Sequence, residues 1–582
     1  MEQRNLLIAI VLSVGILIGF QFIFQRLHPP VPHVVNEATS PATPSTTPST
    51  RAGAPGTAAP GTTAPGAVAA QAAETLEAAI AGQPRVKIAT PRLHGSIALK
   101  GARFDDLTLA KYHETVDPKS PEVLLLAPPG TANPYLAEFG WVAAEPGTVK
   151  LPGPDTVWKA SGGPLTPSHP VTLTWDNGQG LVFTRTISVD PYYMFTVHDE
   201  VHNTGDTPVK LLPYGLISRT GTPQVAGYYI LFEGLIGYLD GSLQEVKYSS
   251  LSAGQPNDYT SSGGWLGFTD KYWLTSLIPS QSEPLKARFT RTQENGIDRY
   301  QTDYLGSAIT VAPNATHSVT TGFFAGAKEV DLLDAYAASG IPRFDRAIDF
   351  GWFYFLTKPI FLTLQFFDRL LGNFGVAILL FTLCVKLLFF PLANKSYKAM
   401  SKMKLLQPEI QKLRERFPDD KARQQQEMMA LYKRVGANPL AGCLPIVIQI
   451  PVFFSLYKVL FVTIEMRHAP FFGWIHDLSA PDPTSFANLF GLLPFNPAVV
   501  PMVGSFLMIG AWPLIMGLTM FLQQKLNPQP VDPMQARMFM ILPVVFTYML
   551  SHFPAGLVIY WAWNNTLSVA QQWVIMHRAG AA

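Results

Sequence analysis

Cysteine and charge are what this 582-residue chain has least of. Its two cysteines, Cys384 and Cys443, both fall in apolar segments, so neither a disulfide scaffold nor a cysteine-based zinc site is available. Only 14% of the residues are charged, against ~25% in ordinary soluble proteins. The formal net charge of +2 leaves no broad basic surface, which argues against direct nucleic-acid binding. A Walker-type phosphate loop is missing, so no nucleotide hydrolysis and no cofactor are implied. Paired carboxylates at a recognisable spacing are missing too, and nothing marks the chain as an enzyme. What the chain has instead is 48% hydrophobic residues, distributed very unevenly.

The most informative stretch is FGVAILLFTLCVKLLFFPL, from Phe374 to Leu392. Sixteen uncharged residues separate Arg369 from Lys386 and eight separate Lys386 from Lys395, which predicts a membrane-spanning helix at 373–394. At ~1.5 Å per residue the Lys386 ammonium lies roughly 18 Å from Phe374 and about 9 Å from Leu392, inside the hydrocarbon zone. A charge there costs several kcal/mol unless it meets water or a counter-charge. One reading is that Lys386 snorkels to the nearer interface. The other is a polar, water-filled cavity, favoured by Thr382 one turn earlier on the same helix face.

Taken in order, residues 1–27 hold an apolar run between Arg4 and Arg26 with no small-x-small cleavage pattern after it, which predicts an uncleaved transmembrane anchor. Residues 28–84, rich in Pro, Ala and Thr, predict a disordered linker. Residues 85–340 carry alternating segments and turn signals, with Asn177-Gly178 marking a hairpin in VTLTWDNGQGLVFTRTISV. This predicts an all-β sandwich. His198 and His202 mimic a zinc-protease motif, but the glutamate between them is misplaced and on a strand they stand ~13 Å apart. Residues 349–370, interrupted at Lys358-Pro359 and rich in aromatics, predict an amphipathic helix lying at the membrane surface.

Residues 395–436 carry eleven Lys or Arg against five Asp or Glu up to Arg434, a cytoplasmic signature. Leu406, Ile410, Leu413 and Phe417 recur at helical spacing, and Pro418-Asp419-Asp420 turns the chain into a second helix through Leu431. The resulting hairpin reads either as a solvated pair with an apolar seam or as a docking surface. Further spans are predicted at 438–461, with Gln449 mid-span, and at 502–524, 538–553 and 555–576. Between them lie an outer loop at 462–501 and an inner loop at 525–537. Tyr560, Asn564, Ser568 and Gln571 share one face of the last helix, as interhelical glue or as the wall of a wet cavity. The fold class is therefore membrane α plus β, six transmembrane helices with a large outer all-β sandwich domain. Both termini and the basic hairpin fall inside.

Several long motifs carry a resemblance. KAMSKMKLLQPEIQKLRERFPDDKARQQQEMMALYK, NPLAGCLPIVIQIPVFFSLYKVL, EMRHAPFFGWIHDLSAPDP and FPAGLVIYWAWNN resemble the YidC membrane protein insertases, with dense similarity over 349–576. The anchor followed by a β-domain is similar to the Gram-negative type. The resemblance implies a five-helix core around a hydrophilic groove open to cytoplasm and lipid, and a periplasmic, sugar-mutarotase-like sandwich without known catalysis. It implies a bacterial inner-membrane location, nascent membrane proteins and the lipid bilayer as partners, and the Sec translocon and ribosome as further candidates. The long basic tail that some relatives use to hold ribosomes is not expected of this chain. The family's groove charge is usually arginine, and Lys386 stands at that position. An ammonium is a point charge without the bidentate fork, which changes how carboxylates would be held. Thr382, Gln449, Tyr560 and Asn564 fall where relatives line the groove.

The implied mechanism is a shortened dry path for a client's polar tail, with Lys386 attracting acidic residues and the client's apolar helix sliding into lipid. All methionines except Met1 and Met194 lie at or beyond Met400, which suits either an adaptable client surface or ordinary core filling. Two readings from other classes compete: a secondary transporter, for which matching broken-helix repeats are not seen, and a membrane-anchored periplasmic carbohydrate-active protein.

Overall fold

Strict alternation of buried and half-buried residues along the strand Leu181–Val189 places one of its faces on a core. It pairs antiparallel with Val171–Asp176 across the turn at Asn177–Gly180, so the hairpin expected at Asn177-Gly178 is present with a four-residue connection. Gly178 and Gly180 adopt φ of 70° and 92°, and the Asn177 Oδ1 accepts from the N–H groups of Gln179 and Leu181.

The computed structural model describes residues 74–147, 149–225, 231–418, 420–436, 444–500, 503–527 and 533–578. The expected anchor at 1–27 lies outside the described residues, as does most of the expected linker. Where that linker is described it is ordered: Leu76–Ala81 (α1) is a helix capped by Thr75, and Glu74 N–H bonds to Gly130 O at 2.6 Å.

Among the described residues, ten strands form one antiparallel sheet and nine a second. Phe104 and Phe139 of the first pack edge-on or tilted against Phe195 and Phe323 of the second, with centroids 5.2 to 5.9 Å apart, which is the inner layer of a sandwich. Arg185 sits in this layer between the rings of Phe139 and Trp158. Its charge is met by Asp199 at 2.6 Å, and its remaining donors reach the carbonyls of Ala102 and Phe139. His198 and His202 each bond a threonine on the neighbouring strand, Thr320 and Thr316. No cluster of three or more His, Cys, Asp or Glu with metal-site geometry occurs among the described residues.

The last strand, Thr316–Ala327, leads through Val330–Ala338 (α2) into the helical region. There follow Tyr354–Leu371 (α3), Phe374–Leu388 (α4), Phe390–Arg416 (α5), Lys421–Val435 (α6), Leu444–Val462 (α7), Gly504–Leu507 (α8), Ala511–Leu526 (α9), Pro533–Leu550 (α10) and Ala555–Arg578 (α11). α3 buries Ile360, Phe361 and Leu364 and exposes Phe355, Phe366 and Leu370, an amphipathic pattern. Three expected boundaries move. The span expected to 394 ends at Leu388, and α5 leaves at a bend of 67°. Pro391 lacks the N–H that would continue the ladder, and its ring would collide with the carbonyl one turn back. The span expected from 502 is a single turn at Gly504–Leu507 and a continuous helix only from Ala511, after a break at Gly510. The helix expected from 538 already begins at Pro533. Among the described residues no single helix is long and apolar enough to cross a membrane; the bent pair of α4 with the start of α5 meets that test together.

The basic segment folds into two helices, α5 and α6, of which the first already begins at Phe390. Asp420 caps α6 by accepting from Arg423 N–H at 3.0 Å, and Leu406, Ile410 and Leu431 make its seam. The second helix runs past Leu431 to Val435, closed by Gly436 at φ 64°.

Sandwich and helices share one continuous apolar core and are tied by charged groups. Lys458 on α7 pairs with Asp349 at 2.7 Å, Arg467 donates to His113 O at 2.6 Å, and the Glu465 carboxylate accepts from Val330 N–H at 2.9 Å. The other oxygen of Glu465 is buried without a partner among the described residues. Burial, with Glu329 and Asp331 nearby, pushes this carboxyl up to about 7, against the pull of the Val330 N–H. The folded chain thus holds a proton that the unfolded chain releases near pH 4.5. Stability from this group is therefore lost as pH rises from about 4.5 to about 7 and is level above, a change of order 3 kcal/mol. Thermal unfolding of the full chain in detergent at pH 5 and pH 8 should show Glu465→Gln losing less stability over that interval than the parent. An equal loss in both would remove Glu465 from the junction's pH response.

Candidate functional site

Five helices, two of them joined by the bend after Leu388, converge on one cavity. α4 contributes Thr382 and Lys386, one turn apart on the same face. α11 contributes Tyr560, Asn564, Ser568 and Gln571, the polar stripe visible in the sequence. α7 adds Gln449, and the end of α9 adds Gln523 and Asn527. The bend after Leu388 swings the first turns of α5 back, so that Tyr397 and Met400 close one wall. The cavity offers about 110 Å³ to the centres of water-sized spheres, room for more than one water beside polar partners.

All five residues singled out from the sequence, Thr382, Lys386, Gln449, Tyr560 and Asn564, line this one cavity. Lys386 is half-buried and donates to the Ser568 hydroxyl at 2.7 Å; that hydroxyl donates in turn to Asn564 O at 2.8 Å. Ser568 therefore orients toward the ammonium and hands the bond on to the helix backbone. Among the described residues no carboxylate lies within ion-pair distance of Lys386. Thr382 is buried and its hydroxyl returns to Ile378 O at 2.7 Å, leaving lone pairs on the cavity side. Tyr560 and Gln449 both line the cavity, as do Tyr397 and Ser568. Trp563 Nε1 donates to Leu379 O at 3.1 Å and locks α11 against α4, which holds the two halves of the wall in register.

Sequence reasoning missed Tyr397, Gln523 and Asn527 as wall residues. Gln523 and Asn527 were signalled by polar side chains at helical spacing at the end of an apolar run. Tyr397 had no such signal, because its place depends on the bend.

Chemically, the arrangement presents one cation, several hydroxyls and several amides inside an otherwise apolar helix cluster. It can attract, solvate and release an anionic or polar segment.

The model of the YidC periplasmic domain matches residues 85–363, and that of the 60Kd inner membrane protein matches residues 366–581. The membrane protein insertase YidC of Bradyrhizobium diazoefficiens is 54% identical over 597 residues, covering 100% of this chain and 97% of its own. The chain belongs to the YidC family of membrane protein insertases. The YidC of Nitrobacter hamburgensis is 56% identical over 591 residues, covering 100% of this chain and 96% of its own. A solved structure of active YidC insertase with its first transmembrane domain resolved covers 84% of this chain and 91% of its own, at 18% identity and a TM-score of 0.36. The boundary between the two YidC family models, between residues 363 and 366, falls inside α3. The β-sandwich and the helices are thus the two parts that the family joins.

Proposed function

We propose that this chain inserts nascent membrane proteins into the bacterial inner membrane, with the cavity around Lys386 as the groove that receives the client's polar segment. The carrying observation is an ammonium facing a water-sized polar cavity with no carboxylate partner among the described residues. A client's acidic tail would supply that partner transiently. Thr382, Gln449, Tyr560 and Asn564 would offer hydrogen bonds in place of water, lowering the desolvation cost of a polar chain entering an apolar layer. The client's own hydrophobic transfer supplies the drive, since the site holds nothing suited to nucleotide chemistry.

The proposed membrane arrangement is the six-span one: an N-terminal anchor, then α4, α7, α9, α10 and α11. The sandwich lies on the periplasmic side, with the basic hairpin and both termini in the cytoplasm. In it α3 lies along the outer surface. α4 has 15 residues and α9 has 16, so at ~1.5 Å each they reach about 23–24 Å, less than a ~30 Å hydrocarbon layer. Such helices would thin the bilayer locally and shorten the client's remaining path. Nascent membrane proteins and the bilayer are the partners this reading requires; the Sec translocon and the ribosome are compatible with it.

Photo-crosslinkers at Thr382, Gln449 and Asn564 are expected to capture a stalled single-span nascent chain, and a crosslinker at Leu124 on the sandwich is expected not to. Capture from Leu124 alone would refute the groove.

A further inference from the structure

From Pro483 to Gln524 the chain has no Asp, Glu, Lys, Arg or His. Only the last part of that run is the helix α9; the described residues from Pro483 to Val500 form turns and two short 3-10 segments. An aqueous loop of that length would ordinarily carry several charges. Leu489, Phe490, Leu492, Leu493, Phe495 and Val499 are all exposed, Leu492 to 82% and Val499 to 75%. An apolar patch of this kind marks an interaction surface.

Most of the backbone amides of this segment are paired inside the protein. The N–H groups of Phe486 and Ala487, of every residue from Leu489 to Leu493, and of Phe495 and Ala498 to Val500 all find acceptors within the protein. Pro494 and Pro497 have no N–H to satisfy. A loop in water has no need of such internal pairing, whereas an unpaired amide in lipid costs several kcal/mol. Leu489 and Phe490 hold φ of 52° and 59°, a left-handed backbone that bulky residues avoid, and both side chains face outward. The segment is also firmly seated. Ser485 Oγ donates to Leu507 O at 2.6 Å, and Phe486 N–H bonds to Ile509 O at 3.0 Å.

We infer that residues 483–500 are a lipid-binding surface, lying at the boundary between headgroups and acyl chains of the outer leaflet. The segment is bonded to the stretch just before α9, at Leu507 and Ile509, and within that stretch Phe506 packs on Tyr548 of α10 at 5.5 Å; Leu518 of α9 and Val544 of α10 are also exposed. The uncharged surface suits neutral acyl chains and offers a charged partner no counter-charge. The inference rests on the membrane arrangement proposed above, and the test separates the two.

The full chain, with Cys384→Ser and Cys443→Ser, carries one reporter at a time: Leu492→Cys, Val544→Cys on α10 or Leu124→Cys on the sandwich. Each is labelled with an environment-sensitive fluorophore in vesicles of phosphatidylethanolamine and phosphatidylglycerol. Lipids spin-labelled near the headgroup end of the acyl chain should quench the Leu492 label several-fold more than the Leu124 label, and aqueous iodide several-fold less. Iodide quenching at Leu492 equal to that at Leu124 overturns the inference. So does protection from both quenchers, which would mean that a second protein surface covers the patch. Absence of lipid quenching at Val544 overturns the membrane arrangement itself, independently of Leu492. Val499→Cys is the replacement reporter if Leu492→Cys fails to fold.

Discussion

Lys386→Glu is expected to lower the rate at which single-span clients with acidic tails are inserted by tenfold or more. Lys386→Ala should lower it several-fold, and Lys386→Arg should leave it near the parent rate. The reason is the unpaired ammonium, which among the described residues bonds only the Ser568 hydroxyl in the cavity. An arriving carboxylate gains of order 1–2 kcal/mol from such a charge at the edge of an apolar layer, which is about tenfold in rate. Glutamate reverses the sign and adds repulsion, while alanine removes only the attraction. Clients with uncharged tails should be nearly indifferent to all three exchanges, and that contrast separates an electrostatic role from a packing one. Protease protection of newly made clients in vesicles, followed over time, reads the rates. If Lys386→Ala inserts every acidic-tailed client at the parent rate, the cavity does not work by charge.

The largest stability effect is expected outside the cavity, at Asp482. This buried carboxylate accepts from Trp474 Nε1 at 3.1 Å, from Thr484 N–H at 3.0 Å and from the Thr484 hydroxyl at 2.7 Å. Its second oxygen accepts from Trp512 N–H at 2.9 Å, in the first turn of α9. Four donors and a helix N-terminus thus depend on one side chain, and the helix dipole adds to the attraction. Gly510 completes the geometry, since a Cβ there would come within 2.5 Å of the Asp482 carboxyl carbon. Asp482→Ala should cost about 2–4 kcal/mol, because it removes the charged acceptor at the start of α9 and takes away the one acceptor shared by the Trp474 indole and the Thr484 hydroxyl. Asp482→Asn keeps an acceptor for part of the set and should cost about 1–2 kcal/mol. Thermal unfolding of the full chain in detergent measures both. A loss under 1 kcal/mol for Asp482→Ala would mean that the segment before α9 is held by its apolar contacts alone.

Much of the candidate site was legible because it is written in local spacing. Thr382 and Lys386 are four residues apart, as are Tyr560, Asn564 and Ser568, and a helix brings such residues to one face whatever surrounds it. The sandwich was legible for the same reason, through alternation such as that of Leu181–Val189. The resemblance then grouped residues from separate helices, which spacing cannot do. The breaks at Phe389 and at Gly510 were not legible, because an apolar run reads the same whether its backbone is one helix or two.

By itself the sequence determined which segments are apolar helices, which are strands, and that an ammonium with polar neighbours stands among aliphatic residues. Only the tertiary structure decided that Pro391 turns the chain so that Tyr397 faces the Lys386 cavity, and that Ser568 is the hydroxyl that receives the ammonium. It likewise decided that Glu465 ties the helices to the sandwich at Val330. Periodicity is a property of neighbours along the chain, whereas these contacts join residues far apart in sequence, and their pairing is set by how whole helices and sheets pack.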